Sequence, residues 1–122
     1  MVGLITPHLK EALAKDRELK IIFTGRKTGK SYDATLWFIN EGNRIYLLPV
    51  SGSDTNWYRN VKKNPSMNVL ISGISINVSA KPIIEQRNVK EVIEKFGVKY
   101  GKGEISKWYT KLDAAVELAL PS

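Results

Sequence analysis

Residues 24–65 carry most of the information about the fold, and they read TGRKTGKSYDATLWFINEGNRIYLLPVSGSDTNWYRNVKKNP. Residues 31–39 are rich in aromatic and β-branched side chains, as is typical of a strand. Both faces of this strand are largely apolar, which favours a barrel wall with one face in the core and the other covered. Residues 40–43 predict a hairpin turn, and residues 44–50 predict the partner strand.

The same segment continues into a small polar loop and a short helix. Residues 51–54 predict the loop and residues 55–63 predict the helix. The helix is expected to end at residues 64–65, because the residue before a proline avoids the helical conformation. Trp57 and Val61 lie four positions apart and therefore share one face of this helix.

Further elements on either side complete the order. Thr6 and Pro7 predict the start of a helix that fades near Glu18. The remaining predicted elements are strands at residues 20–24, 67–72 and 74–84, a helix that begins at Asn88 with a capping-box Glu91 and stops at Gly97, and an aperiodic segment at residues 99–110. The composition of residues 114–120 favours a helix, whereas their position favours a closing strand. Short strands with hairpins and peripheral helices predict an α+β domain around an antiparallel barrel.

Length and composition limit the chemistry that the chain can perform. Its 122 residues fit one domain over residues 1–122 and suffice for a core without disulfides or a metal. Cysteine is absent, so disulfide and thiolate chemistry are excluded. The one histidine, His8, argues against a histidine-rich metal site and against a serine–histidine triad. We therefore expect no metal.

The N-terminal sequence does not resemble a secretory signal. The apolar stretch at residues 2–5 is short, and Pro7 and Lys10 follow it at once. No apolar run in the chain reaches the length that spans a bilayer. We therefore expect a cytoplasmic protein with no membrane partner.

The net charge of +7 is unevenly distributed. No acidic residue occurs at positions 19–32 or 55–84, and both stretches contain several lysines and arginines. Such stretches suggest an anionic partner, either a phosphorylated cofactor or a nucleic acid. A solvated basic surface is the alternative explanation.

The basic turn at residues 25–31 superficially matches a phosphate-binding loop. Only three residues separate Gly25 from Gly29, whereas a P-loop needs four, and the turn leads into a strand rather than a helix. The turn can still bind phosphate, because its glycines let backbone N–H groups approach an anion. Arg26 offers a forked donor, and Lys27 and Lys30 add point charges. A hairpin tip that is merely basic is the alternative.

Several pieces taken together resemble one known family. They are the turn TGRKTGK at residues 24–30, the hairpin GNRIYLL at 42–48, the small-residue loop SGSD at 51–54, and WYRNV at 57–61 followed by Asn64-Pro65. Their order and spacing are similar to the deazaflavin (coenzyme F-420)-dependent nitroreductase family of the flavin-binding split-barrel superfamily, relatives of pyridoxamine-phosphate oxidase. The resemblance implies a split β-barrel that binds coenzyme F-420 or, alternatively, FMN.

The resemblance also implies particular cofactor contacts. They are anion contacts from Arg26, Lys27 and Lys30, contacts along the ribityl-phosphate from Ser51, Gly52 and Ser53, and a pocket wall from Trp57 and Asn60. Asn60 lies between the two apolar positions of its helix and should be half buried, so its amide needs partners from a cofactor or from the neighbouring loop. Trp57 has a second explanation as a core anchor.

The implied activity is hydride transfer from the reduced cofactor to a small acceptor such as a quinone, an activated alkene or a nitro compound. Tyr100 and Tyr109 are candidate proton donors, although the C-terminal segment departs from the spacing of the family. The superfamily also implies a homodimer. A non-catalytic cofactor carrier and a nucleic-acid binder that stacks bases on aromatic side chains are the alternatives.

Overall fold

The computed structural model describes residues 7–120, and within them the chain forms four α-helices and seven β-strands. The helices are α1 (Pro7–Lys15), α2 (Asn56–Lys63), α3 (Gln86–Tyr100) and α4 (Lys102–Trp108), and a single 3-10 turn spans Gly52–Asp54. The strands are β1 (Glu18–Thr24), β2 (Ser31–Trp37), β3 (Ile39–Glu41), β4 (Arg44–Leu47), β5 (Ser66–Ile71), β6 (Ile74–Ile83) and β7 (Ala115–Ala119). None of these helices is long and apolar enough to cross a membrane. The predicted N-cap, Thr6, lies outside the described residues.

The strands form an antiparallel sheet in the order β2-β1-β5-β6-β7-β4-β3. Only Phe38 separates β2 from β3, so one bent stretch of chain forms both ends of this order. The sheet therefore curls round on itself, with β2 paired to β1 and β3 paired to β4. This is an α+β split barrel, and the fold class predicted from the sequence is confirmed.

The main core fills the inside of the barrel. Alternate residues of β1, namely Leu19, Ile21 and Phe23, point inward and are at most 5% exposed. Helix α1 and helix α2 add apolar side chains to the same cluster. A second cluster on the outside packs α3 and α4 against β3 and the segment after β4.

The strand predicted at residues 31–39 is less covered than its apolar faces suggested. Ser31 to Asp33 are exposed, and burial becomes complete only at Phe38 and Ile39. The reason is topological: β2 ends the sheet order, and the packing of α3 and α4 reaches only the Trp37 end of the strand. The expectation of a fully covered wall was therefore wrong for the first half of β2.

The C-terminal third corrects three predictions. Helix α3 begins at Gln86 after Glu85 rather than at Asn88, and it runs through Gly97 to Tyr100. Gly97 is not a stop signal, and the left-handed residue that ends the helix is Gly101, with φ 102°. The aperiodic segment contains α4. Residues 115–119 form a strand despite their composition, because β7 pairs with β4 on one side and with β6 on the other.

Candidate functional site

The barrel is split where β2 diverges from the segment that follows β4. In the β3–β4 pair, Ile39 lies opposite Tyr46, and continuing this register would bring Trp37 opposite Leu48. No such pairing forms, and among residues 7–120 the one strand partner of β2 is β1. In this described part of the chain, one edge of β2 therefore has no strand partner for its backbone N–H and C=O groups. Residues of β2 line two cavities, Tyr32 the first and Thr35, Leu36 and Trp37 the second.

The first cavity, called the basic cavity here, lies under the turn between β1 and β2. It has a volume of about 240 Å³ and is lined by Gly25, Arg26, Lys27, Thr28, Tyr32, Asn56 and Asn60. The Gly25 N–H donates to the Lys30 carbonyl at 2.8 Å, which closes the turn. A Cβ on Gly25 would meet the Tyr32 ring at 2.5 Å and the Thr28 hydroxyl at 2.9 Å, so this close approach requires glycine.

Asn60 holds Arg26 in the basic cavity. The Asn60 side-chain oxygen accepts hydrogen bonds from the Arg26 backbone N–H at 2.9 Å and from its Nη1 at 2.8 Å. Asn56 accepts a further bond from Nη1 at 3.2 Å. Asn60 is only 4% exposed, so the partner that its buried amide requires is the neighbouring loop. Within residues 7–120, Nε and Nη2 of Arg26 keep their donors free.

The basic cavity offers an anion two positive charges and free backbone donors. Lys27 lines the cavity, no carboxylate does, and Lys27 makes no ion pair with any described residue. In the described part of the chain, the backbone N–H groups of Lys27 and Thr28 have no hydrogen-bond partner. Lys30 is exposed and does not line the cavity. The geometry suits one phosphate group.

The small loop between β4 and α2 already uses its donors within the protein. The N–H of Ser51 donates to the Thr55 hydroxyl at 2.8 Å. The N–H of Gly52 donates to a carbonyl of the preceding turn at 3.0 Å. Ser53 donates to the Asp113 carboxylate twice, from its N–H at 2.8 Å and from its hydroxyl at 2.6 Å. These three residues line neither the basic cavity nor the cavity at the other end of β2.

Charges around this loop balance one another. Asp54 forms ion pairs with Arg59 and Lys111, each at 3.1 Å. The hydrogen bond from the Ser53 hydroxyl is the main reason that the pKa of Asp113 is lowered. Two carboxylates and two cations therefore meet here, and the loop has no excess positive charge to attract an anion.

Trp57 lies in the barrel core. It is 6% exposed, belongs to the main apolar cluster, and does not line the basic cavity. Tyr58 and Val61 of the same helix are also buried in this cluster. The core-anchor explanation of Trp57 accounts for its position.

The second cavity, called the aromatic cavity here, lies at the Trp37 end of β2. It has a volume of about 200 Å³ and is lined by Glu18, Thr35, Leu36, Trp37, Leu48, Val50, Trp108 and Tyr109. The Trp37 ring stacks on Tyr100 with centroids 4.4 Å apart and planes 4° apart. The Tyr109 ring lies 6.2 Å from Trp37, and Trp108 is 53% exposed.

The two candidate tyrosines differ in what their hydroxyls do. The Tyr100 hydroxyl accepts the Phe38 N–H at 3.0 Å and lies within donating distance of two carbonyls, those of Phe38 at 2.9 Å and Arg17 at 2.8 Å. It therefore satisfies the backbone at the bend between β2 and β3. The Tyr109 hydroxyl has no partner among the described residues, and it is the accessible end of a side chain that is 9% exposed, since none of their buried side-chain oxygens or nitrogens lacks a partner. Burial raises the pKa of both phenols.

A family model matches residues 10–119, and its description reads "Uncharacterized protein conserved in bacteria (DUF2255)". The chain belongs to this family.

Solved structures with the same fold accompany this family match. An F420-H2 dependent reductase (FDR-A) is 20% identical, with a TM-score of 0.66 over 84% of this chain and 93% of that one. A FAD-binding protein from Mesorhizobium loti is 12% identical, with a TM-score of 0.72 over 98% and 91%. The heme storage protein HutZ from Vibrio cholerae is 15% identical, with a TM-score of 0.72 over 97% and 90%. At these identities the likeness shows the split-barrel fold alone.

For this member of the family, the described residues thus combine a basic cavity, a strand edge without a strand partner, and an aromatic cavity, and residues of β2 line both cavities. Of the sequence-predicted site residues, the structure brings Arg26, Lys27 and Asn60 together in the basic cavity and puts Tyr109 in the aromatic one. Sequence reasoning missed Trp37 and the unpaired edge of β2. No local pattern marks either of them, because both depend on where the barrel opens.

Proposed function

We propose that the chain binds a phosphate-bearing cofactor of the flavin class, with the phosphate in the basic cavity and the ring along the unpaired edge of β2. The observation that carries the proposal is the Arg26 guanidinium, which Asn60 holds in a cavity without a carboxylate. A planar guanidinium with free donors binds a phosphate by two parallel hydrogen bonds. The free N–H groups of Lys27 and Thr28 add to the same cradle.

The distance between the two cavities fits an elongated cofactor. Tyr32 lines the basic cavity, and Thr35, Leu36 and Trp37 line the aromatic one, so three to five steps of extended strand, about 10 to 17 Å, separate their lining residues. Between them, the unpaired N–H and C=O groups of β2 offer both donors and acceptors to the edge of a heterocyclic ring. The basic turn would thus hold the phosphate while the strand edge orients the ring.

Coenzyme F-420 is our first candidate for the cofactor, and FMN is the alternative. The motifs at residues 24–65 support this choice, as do the reductase and the FAD-binding protein that share the fold. When bound, either cofactor supplies hydride chemistry, and a quinone, an activated alkene or a nitro compound is the acceptor that we propose. The chain itself would bind the phosphate, orient the ring and exclude water. Membership of the deazaflavin-dependent nitroreductase family is part of this proposal.

Isothermal titration of the protein with F-420, FMN and riboflavin tests the proposal. We expect F-420 or FMN to bind in the micromolar range, and riboflavin, which lacks the phosphate, to bind at least tenfold more weakly. Arg26→Ala should remove that preference for phosphate. Arg87→Ala, at an exposed position on α3, is the matched control and should bind like the parent protein. Equal, measurable affinity of the parent protein for FMN and riboflavin, or unchanged F-420 affinity in Arg26→Ala, would sink the proposed phosphate site.

A cofactor carrier without catalysis is the competing function. An enzyme of this kind would need a proton donor, and the Tyr100 hydroxyl is already bonded to the backbone at Phe38. Of the two candidate tyrosines, Tyr109 is thus the one that lines a cavity with its hydroxyl unbonded to any described residue. Mixing the reduced, protein-bound cofactor with an acceptor under anaerobic conditions separates the two functions. Oxidation faster than that of the free cofactor identifies an enzyme, and oxidation at the same rate or more slowly identifies a carrier.

A homodimer is a further part of the proposal. Val50 and Trp108 line the aromatic cavity and are 41% and 53% exposed, so a second copy of the chain would have apolar surface to cover beside the split. Light scattering coupled to gel filtration measures the mass directly. A mass of about one chain at micromolar concentration would remove the dimer from the proposal.

A further inference from the structure

The aromatic cavity has walls that suit a flat ring. Trp37 and Tyr109 supply aromatic surface from two different elements, and Leu36, Leu48 and Val50 complete an apolar lining. The Trp37 wall is rigid, because its ring stacks on Tyr100, whose hydroxyl is bonded to the backbone at Phe38. Rigid aromatic walls favour the stacking of an aromatic ligand and cost little ordering entropy on binding.

One polar group in this cavity lacks a partner. The Tyr109 side chain is nine-tenths buried, and its hydroxyl, which makes no hydrogen bond with residues 7–120, is the accessible end of this side chain, because no buried side-chain oxygen or nitrogen of these residues lacks a partner. An accessible hydroxyl in an otherwise apolar lining is free to donate a hydrogen bond to a ligand that enters the cavity. Burial raises the pKa of this phenol, so at neutral pH it carries its proton and can donate it in a hydrogen bond. A ligand oxygen that accepts this bond would satisfy the group.

The charge at the cavity selects among such ligands. Glu18 is the one charged residue in the lining, and it forms no ion pair with another described residue. A carboxylate at the rim repels anions and tolerates neutral or cationic molecules. This selectivity is opposite to that of the basic cavity at the other end of β2.

We propose that the aromatic cavity binds a flat, uncharged or cationic aromatic compound that carries a carbonyl or nitro oxygen, and that Tyr109 donates a hydrogen bond to this oxygen. The cavity binds this compound whether or not a cofactor is present. The further assignment of this compound as the electron acceptor rests on the proposed function, because it requires a cofactor ring beside β2.

The test compares three ligands of nearly equal size on the protein without added cofactor. These are 2-acetylnaphthalene, 2-isopropenylnaphthalene, which has CH2 in place of the carbonyl oxygen, and the anion 2-naphthoate. Equilibrium dialysis gives the three dissociation constants. We expect 2-acetylnaphthalene to bind roughly two- to tenfold more tightly than the hydrocarbon, as one neutral hydrogen bond provides. We expect 2-naphthoate to bind most weakly.

Three variants assign this selectivity to residues. Tyr109→Phe should abolish the preference for the ketone and leave hydrocarbon binding unchanged. Tyr46→Phe removes a hydroxyl outside the cavity and should keep the preference. Glu18→Gln should strengthen the binding of 2-naphthoate relative to the ketone. Circular dichroism confirms that each variant is folded.

Two results would overturn the proposal, namely no binding of 2-acetylnaphthalene at its solubility limit, or an unchanged ketone preference in Tyr109→Phe. The phosphate site is tested separately by Arg26→Ala, which should not alter the three constants. Ligand binding without any cofactor binding would refute the proposed function and leave the aromatic site standing. Cofactor binding without binding of 2-acetylnaphthalene would refute the aromatic site and leave the proposed function standing.

Discussion

The side-chain oxygen of Asn60 accepts two hydrogen bonds from Arg26, one from its backbone N–H at 2.9 Å and one from its guanidinium at 2.8 Å. The two residues lie 34 positions apart, so the contact joins the turn after β1 to helix α2. Asn60 is buried, the two hydrogen bonds are partly buried, and both residues line the basic cavity, so the contact fixes the guanidinium at the wall of this cavity. This pair therefore contributes to the stability of the fold and, under the proposed function, to the binding of phosphate.

Replacing Asn60 should therefore affect both stability and binding. Asn60→Ala leaves the Arg26 N–H unpaired and opens a small void, so the free energy of unfolding should fall by about 1–3 kcal/mol in urea denaturation. Lys62→Ala, at an exposed position on the same helix, is the control and should change it by less than about 0.5 kcal/mol. A loss in Asn60→Ala no larger than in the control would show that the contact is not formed in solution.

Asn60→Asp separates the two roles of this residue. The carboxylate keeps an acceptor for both Arg26 donors but adds a negative charge to the lining of the basic cavity. We expect stability near that of the parent protein and at least tenfold weaker binding of the phosphate-bearing cofactor, because like charges repel. Calorimetric titration of cofactor measures the second effect. Unchanged affinity would show that the phosphate binds elsewhere.

Replacing tyrosine by phenylalanine should reduce stability at Tyr100 and leave it nearly unchanged at Tyr109. Tyr100→Phe removes the acceptor of the buried Phe38 N–H at the bend between β2 and β3, so it should destabilise the fold by about 1–3 kcal/mol. Tyr109→Phe removes a hydroxyl without a partner among the described residues and should change stability by less than about 0.5 kcal/mol. Urea denaturation of both variants checks this difference, and equal losses would contradict it.

Gly52 and Gly42 form a matched pair for steric crowding. Both have left-handed backbones, with φ 56° and 59°, so alanine pays a conformational cost of about 1–2 kcal/mol at either position. A Cβ on Gly52 would also clash with the Asp113 carboxylate and meet the Lys111 carbonyl at 2.9 Å, whereas Gly42 has open space. Gly52→Ala should therefore lose at least about 1 kcal/mol more than Gly42→Ala. Thermal or urea denaturation of both variants measures the difference.

The lowered pKa of Asp113 predicts part of the dependence of the free energy of unfolding on pH. The hydrogen bonds from Ser53 lower its folded pKa below the unfolded value. A carboxyl shifted in this direction stabilises the fold above its unfolded pKa, and the contribution disappears as pH falls through the folded pKa. Asp113→Asn should thus lose less stability than the parent between about pH 5 and pH 2, as followed by urea denaturation at each pH. Glu94→Gln, at an exposed position on α3, should behave like the parent.

The fold was predictable because its signals are local. The alternation of β6, the hairpin before Arg44 and the glycine-bounded turn at Gly25 each follow from the conformational preferences of a few neighbouring residues. The sequence left a choice open where a distant partner decides. Residues 115–119, whose composition favours a helix and whose position favours a strand, form a strand because β4 and β6 pair with them. The predicted end of α3 at Gly97 was wrong, since the helix continues to Tyr100 and Gly101 follows it.

The candidate site was predictable in part for the same reason. A buried amide at Asn60 follows from its position on α2, but its partner could have been a cofactor or a loop, and only the fold shows that the loop supplies it. The donors of Ser53 looked free in the sequence, yet Asp113, 60 positions away, uses them. The cofactor contacts themselves stay predictions.

From the sequence alone follow an α+β domain around an antiparallel barrel, the absence of cysteine chemistry and a basic turn at the end of β1, because backbone preferences and side-chain charges are properties of short segments. That the barrel is split came from the resemblance of residues 24–65 to a known family. Tertiary structure decides which hydrogen-bond donors remain free, where the barrel opens and which tyrosine lines a cavity. These features depend on contacts between residues far apart in the chain, as in the 62 positions between Phe38 and Tyr100. Hydrogen-bond satisfaction is a property of the folded chain as a whole, so no local segment encodes it.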